Sequence, residues 1–249
     1  QNPIIVAENA ASLDWITDGN YVLGVGLGYR PEEFEALGVE FEQRVSRFEE
    51  AIPLIRRLWN EDSVIHHGKH FKVGGLGASI KPKRAGGPPI WVGGDVIAAV
   101  KRAANLNCPW IAPPTMTFQE ITERVEVYKK TSAEISGRSV NEQPIIREVA
   151  IGKTKAEALR AARPALLSKY ESYASWGQTA TKEQVSLSDT FDEFIKDRFI
   201  IGDESEVADE VARYKDSFGE GEFLVRIQWP GFAQSNVLES IERLGKIIT

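Results

Sequence analysis

The pattern of apolar and polar positions switches repeatedly between short β-rich runs and longer stretches with three-to-four spacing. The first clear run, within Tyr21-Val-Leu-Gly-Val-Gly26, follows the turn dipeptide Asp18-Gly19 and reads as a buried strand. Comparable runs near 90–93, 109–112, 145–151 and 223–229 bring the strands that lead into helices to five. Between them the spacing predicts a helix over Glu32–Asn60 broken near Gly38, then helices over Val96–Asn105, Phe118–Ser136, Lys155–Ala174, Asp203–Phe218 and Val237–Ile248. In the longest of these, Val45, Phe48, Ile52, Ile55, Leu58 and Trp59 form a stripe suited to lie on a sheet. A helical pattern also opens the chain, where Ile4, Ala7 and Ala11, with Ile5, Leu13 and Ile16, give a wide apolar face.

Alternation of strand and helix predicts a parallel α/β sheet. Two stretches interrupt it. Over about 61–87, Val64-Ile-His-His-Gly-Lys-His-Phe-Lys-Val73 alternates in period two and reads as a β-hairpin excursion. Over about 175–198, and most clearly in Thr179–Lys196, the chain is polar and turn-rich, as a lid over a site would be. A closed (β/α)₈ barrel needs eight strand–helix units, so about three would be missing before the first residue. An open parallel sheet is the alternative; the N-terminally incomplete TIM barrel is the expectation. No repeat or linker divides residues 1–249, which are expected to form a single domain.

Composition narrows the partners. Of 249 residues, 42% are apolar and 27% charged, ordinary values for a folded domain. A net charge of −6 and the lack of a Lys/Arg stripe give nucleic acid no footprint. No apolar run approaches the length needed to span a membrane, and no signal-peptide pattern opens the chain, so a cytoplasmic location is expected. The single Cys108 excludes an intramolecular disulfide and suits a reducing compartment. No basic neighbour in sequence activates it as a nucleophile.

Two glycine-rich ends carry the candidate chemistry: Gly24-Val-Gly-Leu-Gly-Tyr29, and Gly93-Gly-Asp-Val96. Each lies at the carboxyl end of a strand and leads into a helix, where backbone N–H groups can meet an anion. The spacing of the first, Gly-x-Gly-x-Gly, departs from the dinucleotide fingerprint. Plain turns that let a strand pass a neighbour remain the simpler reading. Asp95 suits the N-cap of the helix it precedes. In Phe223-Leu-Val-Arg-Ile-Gln-Trp229, alternation puts Arg226 and Gln228 on one face and Val225, Ile227 and Trp229 on the other. Arg226 would then either bind an anionic substrate or cofactor group, or pair with Glu148 as a structural ion pair. His66, His67 and His70 cluster, but no completing carboxylate or cysteine stands at metal-site spacing, so no metal is expected.

The segment GVGLGYRPEEFEALGVEFEQRVSRFEEAIPLIRRLW at 24–59 resembles the central part of the luciferase-like monooxygenase family, flavin- or deazaflavin-dependent oxidoreductases built on a TIM barrel. The likeness continues through PPIWVGGD (88–95) and RFIIGDESEVADEV (198–211) to RIQWPG (226–231). It implies that Gly26, Gly28, Gly93, Gly94, Asp95 and Val96 hold a cofactor phosphate and that Tyr29 lies against the cofactor ring. The resemblance further implies oxidation of a small organic substrate with reduced FMN and oxygen. Coenzyme F420-dependent hydride transfer is the alternative within the family, and a non-catalytic barrel fragment the alternative outside it. A homodimer, and a separate flavin reductase as partner, are likewise implied. Two departures stand out: Asn107-Cys-Pro-Trp110 replaces an Asp-Gly-Trp-like turn, and Asn20 stands where Arg is common. In many relatives the residues nearest the reacting atoms come from the first strands, so no catalytic acid or base is assigned.

Overall fold

The computed structural model describes residues 1–137, 140, 143–177, 187–219 and 221–247. The chain divides into two compact units, Gln1–Trp110 and Ile111–Thr249.

The first unit opens with α1 (Pro3–Ile16), started by Asn2, whose side chain accepts from the Ile4 amide with Pro3 in the first turn. Its buried face is made of small residues, Ala7, Ala10 and Ala11, while Ile5 and Ile16 are 57% and 79% exposed. The wide apolar face expected from the sequence is therefore split, because α1 approaches α3 (Arg44–Asn60) closely through its alanines. The Trp59 indole on α3 donates to the Ala7 carbonyl at 2.9 Å. Ile52, Leu54, Ile55, Leu58 and Trp59 make the buried stripe of α3. The break near Gly38 separates α3 from the short α2 (Pro31–Ala36), with a 3₁₀ turn at Phe41–Gln43 between them.

A three-stranded sheet has the order β1 (Leu23–Val25), β4 (Ile90–Gly93), β5 (Trp110–Ile111), with β1 and β4 parallel. The excursion before β4 is the antiparallel hairpin β2 (Val64–His67) and β3 (Lys72–Leu76). One carboxylate fastens it to α3: Glu50 accepts from the His66 ring and from the amides of His70 and Phe71, each at 2.9 Å. Burial pushes the Glu50 carboxyl upward and those three donors more than offset it, leaving its pKa lowered. His70 bonds Ser46 at 2.7 Å instead, and His67 is exposed, so the three histidines do not converge. Among the described residues no group of His, Cys, Asp and Glu is arranged to hold a metal.

In the second unit β6 (Ile145–Ile151) is central, with β7 (Ile200–Gly202) and β8 (Phe223–Arg226) parallel to it on opposite edges. The sequence predicts five strands feeding helices; among the described residues β7 is a sixth, and it feeds α8 (Glu204–Phe218). It pairs only with Val149–Ile151, while β8 pairs with Ile145–Glu148. A capping box between Asp203 and Glu206 starts α8, and another between Thr117 and Glu120 starts α5 (Phe118–Ser136), which stops at Gly137 with φ 64°.

Alternation on β6 sends Arg147 and Glu148 to opposite sides. Arg147 meets the Tyr214 ring of α8 at 5.1 Å, whereas Glu148 meets α6 (Lys155–Ser175). On the α6 side, Ala150, Leu166, Tyr170, Phe191, Phe194, Phe199 and Trp229 form one buried cluster. Phe191 and Phe194 come from α7 (Leu187–Ile195), an amphipathic helix in what the sequence suggested was a polar, turn-rich lid. The first part of that stretch, 178–186, lies outside the described residues. The last helix, α9, runs Gln234–Gly245, starting a turn before its expected bound; the expected end, Ile248, is outside the described residues. No helix of the described residues is long and apolar enough to cross a membrane.

Candidate cofactor site

Strands β1 and β4 are adjacent, parallel and in register, Leu23 opposite Ile90, Gly24 opposite Trp91 and Val25 opposite Val92. The two glycine corners that continue them therefore leave the sheet side by side, at the same carboxyl end. Buried Leu23, Ile90, Trp91 and Val92 anchor the strands below the corners.

Glycine is used differently at the two corners. A Cβ built on Gly26 meets no atom within 4 Å, and its backbone is one that other residues adopt. Nothing in the protein requires glycine there, so the open space beside this backbone fits close approach by a ligand. Gly94 is glycine for an internal reason: its Cβ would lie 2.5 Å from the Ala99 Cβ. Helix α4 (Ile97–Asn105) packs on the corner at that point. Gly28, at φ 79°, is likewise held to glycine by its backbone, and its Cβ would press on the Phe34 ring at 2.9 Å.

Helix α4 begins at Ile97, and its N-cap Val96 makes no side-chain hydrogen bond to the first turn. Asp95 stands one position before that cap, a correction to its expected N-cap role: the helical turn begins one residue later, because Val96 already has the extended cap conformation. Val96 and Ile97 are 48% and 45% exposed, so the positive end of α4 opens to solvent. The six-residue α2 after Tyr29 is too short to add much dipole. The start of α4 at Gly94–Val96 is where backbone amides can meet an anion, and Tyr29, after the first corner, is 42% exposed. Open space at Gly26 and a solvent-exposed helix start capped by a valine fit a phosphate-bearing cofactor.

One positioning residue escaped the sequence reading. The buried Trp110 indole on β5 donates to the Gly94 carbonyl at 2.8 Å and fixes the second corner. A buried indole N–H needs an acceptor, and that requirement was the available signal. Arg56 closes the departing turn at 106–108, donating to the Leu106 and Asn107 carbonyls at 2.6 and 3.0 Å and to Cys108 Sγ at 3.1 Å.

The residues expected to meet substrate lie in the second unit. Arg226 ends β8 and donates to the fully buried Glu148 at 3.2 Å. Gln228 is exposed and bonds the Trp229 carbonyl at 3.4 Å. The strand alternation that would separate Arg226 from Trp229 stops at Arg226, where β8 ends. Trp229 consequently turns its indole to the same carboxylate, at 2.5 Å.

A family model described as luciferase-like monooxygenase matches residues 1–221. Among curated proteins, phthiodiolone/phenolphthiodiolone dimycocerosates ketoreductase of Mycobacterium kansasii is 34% identical over 143 residues, 55% of this chain and 38% of its own. F420-dependent glucose-6-phosphate dehydrogenase 1 of Rhodococcus jostii is 31% identical over 156 residues, 60% of this chain and 45% of its own. The matches thus span less than half the length of either relative. Among solved structures, monooxygenase RslO1 from Streptomyces bottropensis superposes with a TM-score of 0.83 at 18% identity, covering 99% of this chain and 73% of that one. The oxygenating constituent of 3,6-diketocamphane monooxygenase from Pseudomonas putida, in complex with FMN, gives 0.75 at 18% identity, covering 99% and 75%. The likeness in structure places the chain in the α/β barrel fold of these enzymes.

Proposed function

Because the chain belongs to the luciferase-like monooxygenase family, we propose that it forms the cofactor-holding part of an oxidoreductase acting on a small organic substrate. The observation that carries this reading is the pair of glycine corners standing together at one end of the parallel sheet. In it, the amides of Gly94, Asp95 and Val96 hold the cofactor phosphate at the positive end of α4. Gly26 leaves room for the chain that joins phosphate to ring, Gly28 turns the backbone beside it, and Tyr29 lies against the ring. Asp95 contributes its backbone N–H, since a carboxylate facing a phosphate is repelled. The group so bound supplies the redox chemistry; the protein supplies position and exclusion of water.

With reduced FMN, the reaction is oxygenation, a separate flavin reductase is a partner, and a homodimer is the expected assembly; the FMN-bound structural neighbour supports this reading. Coenzyme F420 is the second reading, supported by the identity to an F420-dependent dehydrogenase over 60% of the chain.

An absorbance titration of the purified chain with FMN and with F420 tests the proposal. Saturable binding of one of them is expected, and Gly26→Val should weaken it at least tenfold by filling the open space. The alternative of a non-catalytic fragment predicts no binding of either. Retained affinity in Gly26→Val would remove that corner from the site.

A further inference from the structure

Three charged side chains from three elements of the second unit meet at Glu148. The carboxylate is fully buried on β6. Its Oε1 accepts from Lys169 Nζ of α6 at 2.5 Å and from Arg226 Nη1 of β8 at 3.2 Å. The remaining donors are neutral: the Tyr170 hydroxyl at 2.7 Å and the Trp229 indole at 2.5 Å. Two cations therefore face one anion, and the cluster carries a surplus of one positive charge.

Among the described residues neither Lys169 nor Arg226 has a second carboxylate within ion-pair distance. Tyr170 does not become an anion near neutrality, because burial, reinforced by Glu148, raises its pKa well above the ordinary value. Burial lowers the pKa of Lys169 while Glu148 pulls it back up, so the lysine depends on that carboxylate. The Lys169 side chain is 8% exposed but that of Arg226 is 35% exposed. The surplus charge accordingly reaches solvent at the guanidinium, which uses one of its five donors on Glu148. A planar fork held from behind by a buried carboxylate is matched to a second carboxylate in front.

We propose that Arg226 binds the carboxylate of a small monoanionic organic ligand, with Glu148, Lys169 and Trp229 as the residues that position it. One negative charge neutralises the cluster; a neutral ligand leaves it unbalanced. The inference rests on the proposed function only for calling this ligand the substrate, since its binding requires no cofactor.

The test is calorimetry on the full chain without cofactor, using benzoate and hexanoate, each against its own amide. Each carboxylate should bind roughly tenfold or more tightly than the amide, as a charge-assisted bidentate pair implies. Arg226→Gln should abolish that preference, and Arg226→Lys, which keeps the charge without the fork, should retain part of it. Equal binding of acid and amide by the unaltered protein, binding of neither, or a preference that survives Arg226→Gln overturns the proposal. Cofactor uptake by the same preparation separates the two ideas. A carboxylate preference without FMN or F420 binding strikes the enzyme reading alone; cofactor binding without the preference strikes this inference alone.

Discussion

Replacing Glu148 by glutamine removes one charge and almost no volume, which makes the outcome legible. The amide oxygen can still accept from Tyr170 or Trp229, but the amide nitrogen turns a donor toward Lys169 and Arg226. Arg226, 35% exposed, can relax into water. Lys169, 8% exposed and already destabilised as a cation by burial, cannot. Breaking one side of a buried pair costs about 3–5 kcal/mol, and the exposed arginine places this case near the lower bound, about 3 kcal/mol. For chains of this size 1 kcal/mol corresponds to roughly 2–4 °C, so Tm should fall by about 6–12 °C. Urea unfolding followed by circular dichroism measures the free energy directly. A cycle with Lys169→Met isolates the cause: in the Glu148→Gln background, removing the stranded lysine should recover at least about 1.5 kcal/mol, whereas independent sites add to within about 0.5 kcal/mol. A loss below about 1 kcal/mol for Glu148→Gln, or additive single and double variants, would refute the reasoning.

Other outcomes follow from the same contacts. Arg147 is fully buried with no hydrogen-bond partner for Nε and Nη2 among the described residues, held by Tyr214 and a 3.3 Å bond to the Pro113 carbonyl; Arg147→Met should be neutral or stabilising by about 1 kcal/mol in the same unfolding assay, opposite to Glu148→Gln. Gly94→Ala should destabilise by about 1–3 kcal/mol through its clash with Ala99, while Gly26→Ala should stay within about 0.5 kcal/mol of the unaltered protein. Trp110→Phe should cost about 1 kcal/mol for the lost bond to Gly94 and loosen cofactor binding several-fold in the absorbance titration. The lowered pKa of Glu50 means that its unfolded form takes up a proton at higher pH than its folded form. Its stabilising contribution is therefore full above the ordinary carboxylate range and is lost as pH falls through the folded value. Urea midpoints between pH 7 and pH 3 should drop more steeply for the unaltered protein than for Glu50→Gln.

What the sequence disclosed depended on how local each cause was. The glycine corners were legible because Tyr21–Val25 and Pro88–Val92 are short apolar runs that end abruptly in glycine, and the hairpin because its alternation is folded back by the Gly68-Lys69 turn. Strand β7 was missed because Ile200–Gly202 is three residues long and exists through pairing with β6, a contact that sequence spacing does not express. The partition of α1 into buried alanines and exposed Ile5 and Ile16 was hidden for the same reason: packing on α3 selects small residues over large ones. In the sequence Glu148 stood only as a candidate ion-pair partner of Arg226; the fold adds Lys169, Tyr170 and Trp229 around it. The Arg226–Glu148 pair is one of two sequence alternatives for that arginine, whereas Trp229 falls on the opposite side from the one alternation predicts because β8 stops three residues earlier.

The central claim is that the corner at Gly94–Val96 holds an anionic phosphate. Titrating the protein with FMN and with riboflavin, which lacks only the phosphate, tests it most directly, with F420 and its phosphate-free deazaflavin alcohol as the parallel pair. Three amide bonds to a charged group are worth about 4.5 kcal/mol together, roughly a thousandfold or more in affinity. The account predicts that one phosphorylated form binds more tightly than its dephosphorylated partner by about that factor; equal affinity within each pair would contradict it.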